Sequence, residues 1–230
     1  MISTMRNLRQ IHLILFLFNT SLVCNGENIV HPRLYLSPNY SIHDAPIYPK
    51  EGPLHVNFTI NLNNILEVDE VDHLISLETS VRMYWKDRRV KVNPREGEDY
   101  LSLNSRATKH FWIPDIFIDR SKDVRVPSYY VKPATLRIYP DQTMRYSSRI
   151  NFDVDCEMDF HRYPMDEQLC KVKFESFGYT TKQLKFDWLT GNKNHTNNVN
   201  PDMELSQFKV DVYFAYTYQT EHYDLSYPGM

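Results

Sequence analysis

Two cysteines with thirteen residues between them, Cys156 and Cys170, constrain the fold of this 230-residue chain more than any other feature. The third cysteine, Cys24, lies near the end of a leader over residues 1–26. This leader has arginines, an apolar run and then small residues, which is the pattern of a secretory signal peptide. Its removal leaves an even number of cysteines in an oxidising compartment, which indicates one disulfide and no thiol for catalysis or metal binding. A signal anchor is the alternative, disfavoured because the apolar run is short for a membrane span.

The loop that these two cysteines close contains the dipeptide Tyr163-Pro164. An aromatic residue before proline lowers the relative cost of a cis peptide bond, so a tight reversal of the chain is expected there. Closing a loop of this length contributes about 3 kcal/mol to stability in the chain-entropy account.

Composition favours one large β domain. Sixteen tyrosines and twelve phenylalanines are typical of strands, and the length suits a single domain of this kind. The formal net charge of −3 gives no polyelectrolyte signal for nucleic acid. The nine histidines show no metal-ligand spacing and no Ser-His-Asp pattern has a supporting motif, so the sequence predicts no enzyme, metal site or cofactor.

Alternation of apolar and polar residues predicts the strands. It begins at Leu54 and recurs from Leu74 to Trp85. Residues 111–118 contain a proline and are predicted to form an edge strand or a bend. Further strands are predicted at 136–139, 144–155, 171–177, 183–189 and 207–219. The segments between, including 27–53, 93–109 and 191–201, are expected to be irregular. Many short alternating strands without helices indicate a β sandwich.

The order of cysteine, apolar residues, aromatic-Pro-Met-Asp and cysteine resembles the signature loop of the Cys-loop, or pentameric, ligand-gated ion channels. Trp112, Pro114 and Asp115 resemble that family's Trp-x-Pro-Asp segment, and the resemblance extends over roughly Leu54 to Tyr223. It implies an all-β, immunoglobulin-like sandwich of about ten strands within residues 54–230. It also assigns four loop residues to gating: Phe160, Tyr163, Pro164 and Asp166.

In that family five domains form a ring, and a small transmitter binds at subunit interfaces in a box of aromatic residues. The resemblance gives the principal side of this site Phe117, Glu175, Ser176 and Phe177. The segment Glu-Ser-Phe-Gly-Tyr is similar to the inhibitory, anion-conducting members, whose transmitters are of the glycine, gamma-aminobutyric acid (GABA) or glutamate class. The alternative is that Phe177 is a core residue.

The complementary side of the predicted site comes from two other strands. Counting from Trp85, the resemblance places Arg82 opposite a ligand carboxylate and places Ser147 and Arg149 on the neighbouring strand. A guanidinium matches a carboxylate with a bidentate fork. The alternative is that both arginines are solvated strand charges. Ser80 stands where glycine-receptor-like members have an aromatic residue, which weakens an assignment to glycine.

The end of the chain is expected to lie in the capping loop of the site. That loop should supply Tyr218, Tyr223 or Tyr227, without preference among them. We expect the chain to be truncated before the returning strand and the membrane helices. A full-length form would lie at the extracellular face of the plasma membrane as a homo- or heteropentamer, in contact with the membrane only through the missing helices.

Three alternatives remain at this stage. The chain is a soluble secreted binding protein of the same fold without a pore, a generic secreted adhesion sandwich, or a non-functional splice form or fragment that is secreted or retained. Three glycosylation triplets agree with secretion and begin at Asn39, Asn57 and Asn194.

Overall fold

The computed structural model describes residues 31–127, 130–189, 199–203, 208–212, 218–222 and 225–229. Within these ranges the chain forms thirteen strands and one short helix, α1, at Ser105–Thr108. The strands are β1 Leu34–Leu36, β2 Leu54–Asp69, β3 Leu74–Lys86, β4 Val90–Val92, β5 Leu101–Asn104, β6 Phe117–Ile118, β7 Ser121–Arg125, β8 Ala134–Ile138, β9 Thr143–Asp155, β10 Phe174–Glu175, β11 Leu184–Trp188, β12 Tyr218–His222 and β13 Leu225–Gly229. No helix in the described part of the chain is long and apolar enough to cross a membrane.

The strands form three sheets, of which two stack on each other. The large sheet has the order β11-β2-β3-β9-β8-β5, with β7 beside β9; a second has the order β12-β13-β10-β6, and β1 pairs with β4. Phe174 on β10 packs against Phe58 and Phe152 of the large sheet, with ring centroids 5.4 and 6.0 Å apart. All three rings are buried. The predicted all-β sandwich is confirmed.

The large sheet has one buried and one polar face, because successive side chains of a strand point to opposite sides. β3 and β9 pair over thirteen consecutive residues without a shift of register. Val81, Met83 and Phe152 are buried in the core. Arg82 lies directly opposite Ser147 on the other side, which we call the polar face. The two faces predicted for these strands are confirmed.

Asp87 ties the N-terminal segment to the end of the sheet. This fully buried carboxylate accepts hydrogen bonds from Nε and Nη2 of Arg89 at 2.9 and 2.8 Å. The Arg89 guanidinium also lies over the Tyr40 ring, 4.7 Å from its centroid. The Tyr40 hydroxyl accepts a hydrogen bond from the backbone N–H of Trp112 at 2.8 Å. The cluster therefore fixes the start of the segment that leads to Phe117.

The stapled loop follows β9. Cys156 and Cys170 form a disulfide with their Cα atoms 4.8 Å apart, and the Tyr163–Pro164 peptide bond is cis. Both predictions are confirmed. The backbone N–H of Cys156 donates to the carbonyl of His73 at 2.8 Å, and the His73 ring contacts Phe160 edge-on at 5.7 Å. The loop is therefore anchored to the turn between β2 and β3.

Four predictions of secondary structure are wrong. The range 93–109, predicted as a loop, contains β5 and α1. The strand predicted at 171–177 is reduced to β10, and residues 208–212 of the strand predicted at 207–219 are irregular. The range 27–53, predicted to be irregular, contains β1, and β4 and β7 lie where no strand was predicted.

Local pairing explains these differences. β10 has only two residues because β6 and β13 offer it partners at Phe174 and Glu175 alone. The helix α1 begins after Asn104, whose side chain accepts hydrogen bonds from the backbone N–H groups of Arg106 and Ala107 at 3.0 and 3.3 Å, a typical N-cap. No strand was expected after β12, but β13 returns antiparallel to β12 and pairs with β10.

Candidate functional site

Two exposed phenylalanine rings lie together at the edge of the four-stranded sheet β12-β13-β10-β6, which we call the smaller sheet. Phe117 on β6 is 39% exposed, and Phe177, two residues after β10, is 77% exposed. Their ring centroids are 5.7 Å apart and the rings are inclined at 52°. Phe177 is therefore not a core residue, and two of the predicted principal-side residues are brought into contact.

Asp115 holds the backbone that carries Phe177. Its Oδ2 accepts hydrogen bonds from the N–H groups of Phe177 and Gly178 at 2.9 and 2.7 Å, and its Oδ1 accepts from the Ser176 hydroxyl at 2.7 Å. A carboxylate that accepts several hydrogen bonds fixes its partners more firmly than a neutral group does. From the sequence, Asp115 was recognisable only as part of a motif, and this role was not predicted.

Ser176 turns inward. Its side chain is 2% exposed, and its hydroxyl oxygen accepts a hydrogen bond from the backbone N–H of Tyr179 at 3.0 Å while donating to Asp115. The Tyr179 hydroxyl in turn accepts from Nε1 of Trp112 at 3.0 Å. These contacts give Ser176 a role in shaping the turn, and its direct contact with a ligand stays a prediction.

Glu175 is held by a neighbouring cation. Nζ of Lys173 lies 2.7 Å from its Oε2, and the carboxylate side chain is 13% exposed. The same ammonium lies 3.4 Å from Asp119. Because Glu175 pairs directly with Phe117 across β10 and β6, it lies beside the aromatic pair even though its charge is matched within the chain.

The predicted complementary-side residues share the polar face of the large sheet. Arg82 on β3 faces Ser147 on β9 and Thr59 on β2. The Arg82 side chain is half-buried and has no hydrogen-bond or ion-pair partner among the described residues. Arg149 lies two positions beyond Ser147 and makes a 3.4 Å contact with Glu78. The structure therefore brings Arg82 and Ser147 together, with Arg149 partly neutralised beside them.

The two halves of the predicted site lie on opposite sides of the large sheet. The smaller sheet packs on the buried face through Phe58 and Phe152, whereas Arg82 projects from the polar face. Within one chain, Phe177 and Arg82 are therefore separated by the thickness of the large sheet. A ligand that contacts both residues has to lie between two copies of the chain.

The residues assigned to gating occupy the stapled loop. Phe160 is half-buried, whereas Tyr163 and Pro164 are exposed. The Asp166 carboxylate accepts a hydrogen bond from the side-chain amide of Gln168. Their role in gating stays a prediction.

Of the three glycosylation triplets, two lie in the described part of the chain. Asn39 and Asn57 are exposed, and Asn57 lies on the polar face of β2. Asn194 lies outside the described residues, as do the side chains of Tyr218, Tyr223 and Tyr227.

Residues 33–227 match the family model for the neurotransmitter-gated ion-channel ligand binding domain. This chain belongs to that family. Gamma-aminobutyric acid receptor subunit rho-3 of Rattus norvegicus is 31% identical to it over 175 residues, which is 75% of this chain. The ligand-binding domain spans about 37% of the length of that relative.

Membership confirms the resemblance predicted from the stapled loop, to Cys-loop channels and within them to the inhibitory branch. The ligand-binding domain is part of a receptor family and not of an enzyme family.

Proposed function

We propose that this ligand-binding domain binds a small amino-acid-like transmitter, of the glycine, GABA or glutamate class, between neighbouring copies in a pentamer and thereby opens a chloride-conducting channel. One observation carries the proposal: an exposed aromatic pair and an arginine without an acidic partner among the described residues lie on opposite sides of one domain. Each is half of a site for a zwitterion.

The aromatic pair suits the ammonium group of the transmitter. The face of an aromatic ring attracts a cation by about 0.5 to 2 kcal/mol, and more where water is excluded. Phe117 and Phe177 present two inclined rings, and Asp115 keeps the second ring in place. Glu175 beside them adds negative charge, most of which Lys173 offsets.

Arg82 suits the carboxylate group. Its guanidinium has no acidic partner in the part of the chain that the structure describes, so its charge is available to a ligand. The Ser147 hydroxyl lies directly opposite on β9 and offers a further donor. A bidentate guanidinium–carboxylate contact fixes both the position and the orientation of the ligand.

Head-to-tail contact between identical subunits closes into a ring when the rotation between neighbours allows it. In such a ring every interface joins the aromatic pair of one copy to the arginine of the next. The predicted signal peptide, the disulfide and the exposed Asn39 and Asn57 favour an extracellular location for this ring, on the outer face of the plasma membrane.

Two substitutions test the proposal in cells that express the receptor. Phe177→Ala and Arg82→Ala should each raise the transmitter concentration for half-maximal chloride current by roughly tenfold or more, since each removes a charge-dependent contact. Tyr35→Ala and Arg88→Ala are matched controls, because Tyr35 is an exposed ring on β1 and Arg88 is paired with Glu51. An unchanged response for Arg82→Ala, with loss of response for Phe177→Ala, would remove the carboxylate assignment.

A further inference from the structure

Two arginines face each other on the polar face of the large sheet. Arg137 on β8 is paired directly with Arg145 on β9. Each guanidinium lies over a tyrosine ring: that of Arg137 is 4.5 Å from the Tyr100 centroid, and that of Arg145 is 5.5 Å from the Tyr84 centroid. The rings hold the two side chains in place without neutralising them.

Like charges directly opposite each other on neighbouring strands destabilise a sheet. Two other arginines of the polar face have acidic partners: Arg125 lies 2.7 Å from Asp153, and Arg149 contacts Glu78. Neither the Arg137 nor the Arg145 side chain has a hydrogen bond or an ion pair with any residue that the structure describes. Moreover, Nε of Arg145 is buried without a hydrogen-bond acceptor.

This arginine pair lies next to the arginine assigned to the transmitter carboxylate. Tyr84 is paired with Arg145 and Arg82 with Ser147, so Arg82 and Arg145 are diagonal neighbours on adjacent strands. Diagonal neighbours are about 7 to 8 Å apart, within reach of long side chains. From β2 to β5 the other positions in these two rows carry no acid: Asn57, Tyr84 and Ser102 in one, and Thr59, Ser147, Thr135 and Asn104 in the other. The first row also reaches Asp187 on β11, which lies three strands away from Arg145 and whose carboxylate lies 2.7 Å from Nδ1 of His55.

We propose that Arg145 and Arg137 bind a second carboxylate of the ligand, and that the transmitter is therefore a short dicarboxylic amino acid. Arg82 holds one carboxylate, and the guanidinium groups of Arg137 and Arg145 hold the other. The inference rests on the proposed function for Arg82. It extends that function by choosing an acidic amino acid over a ligand with a single carboxylate.

All three arginines belong to one chain, so the experiment needs no neighbouring copy. Glutarate, which has two carboxylates and no ammonium, is compared with butyrate, which has one, in titrations of the 230-residue chain. Binding is followed by nuclear magnetic resonance of the arginine Nε–H groups. Glutarate should bind roughly tenfold more tightly than butyrate, because a second charge-assisted contact forms. The Arg145 Nε–H signal should shift with glutarate only.

The variants separate this inference from the proposed function. Arg145→Gln and Arg137→Gln should each reduce or abolish the preference for glutarate, while Arg88→Gln should leave it unchanged. Arg82→Gln should weaken both ligands, and its failure to do so counts against the proposed function. Thermal unfolding of each variant checks that the fold is retained.

Equal affinity for glutarate and butyrate in the unsubstituted chain would overturn the dicarboxylate inference. So would a preference that survives both Arg145→Gln and Arg137→Gln. Sedimentation gives a third outcome: if Arg145→Gln weakens self-association and glutarate shows no preference, the arginine pair binds an acidic side chain of a neighbouring copy and not a ligand.

Discussion

The Asp115 carboxylate accepts the Ser176 hydroxyl at 2.7 Å with one oxygen while its other oxygen accepts two backbone N–H groups of the same turn. Sixty-one residues separate Asp115 from Ser176 in the chain. This one side chain therefore joins the segment that carries Phe117 to the turn that carries Phe177. Its position determines whether the two rings meet.

Replacing Asp115 by asparagine should disorder the turn. An asparagine amide has the same size as the carboxylate, but its NH2 group cannot accept a hydrogen bond from the N–H and O–H donors of the turn. Loss of a charge-assisted acceptor costs about 3 kcal/mol. We expect lower thermal stability and at least tenfold weaker transmitter binding, measured by calorimetry. Ser176→Ala is the matched control and should have a smaller effect, because it removes the hydroxyl and leaves both backbone contacts. A larger loss for Ser176→Ala would contradict this order.

The hydrogen bond between Trp112 and Tyr179 should make a measurable contribution to the free energy of unfolding. The indole N–H donates to the tyrosine hydroxyl at 3.0 Å, and the rings meet edge-on with centroids 6.0 Å apart. Tyr179→Phe and Trp112→Phe each remove the hydrogen bond. A double-mutant cycle on the free energy of unfolding should give a coupling of about 1 kcal/mol. Additive effects would show that the bond contributes nothing.

Alkaline pH should destabilise the fold through Tyr40. Burial, together with the nearby charge of Asp87, raises the pKa of Tyr40 to about 12, although the hydrogen bond from Trp112 opposes the shift. The pKa of an unfolded tyrosine is about 10. Between these two values the folded state retains a proton that the unfolded state releases, so stability is complete below pH 10 and falls as the pH approaches 12.

Denaturant unfolding at several values between pH 9 and pH 12 measures this effect. Tyr40→Phe cannot ionise and should make the fall in unfolding free energy shallower over this window. Its stability at pH 7 should also be lower, since the Trp112 N–H loses its acceptor. Equal slopes for the two proteins would show that Tyr40 does not control the alkaline transition.

The disulfide between Cys156 and Cys170 should account for about 3 kcal/mol of the free energy of unfolding. The double variant Cys156→Ser, Cys170→Ser removes the crosslink and should unfold at lower denaturant concentration. Reduction of the unsubstituted chain is the control, and both treatments should give the same loss. Mass spectrometry that found both thiols free in the secreted protein would contradict the pairing.

The sequence was most informative where structure depends on near neighbours. The alternation through Val81, Arg82 and Met83 separates core from surface because each residue of a strand points away from the next. The stapled loop was equally readable because its pairing and its proline turn lie within fifteen residues. These local patterns were sufficient to predict both the fold class and the family.

Contacts between segments that are distant in the chain could not be predicted from the sequence. The role of Asp115 depends on a turn more than sixty residues away. The inward orientation of Ser176 follows from the same contact. Whether an arginine such as Arg82 has an acidic partner is decided by the register of the strands on either side, which one strand's pattern does not reveal. The short strand β5 was missed because only Leu101 and Leu103 alternate in it.

The unbroken pairing of β3 with β9 makes these strands intolerant of added or lost residues. A shift of β9 by one position would carry Ser147 to the core side and bring Ser148 to the polar face, and the same shift would turn Arg145 and Arg149 inward. A single inserted codon would thus damage the core and the ligand-contacting surface together. Length variation among natural versions of this chain should therefore be confined to its loops, such as residues 93–100.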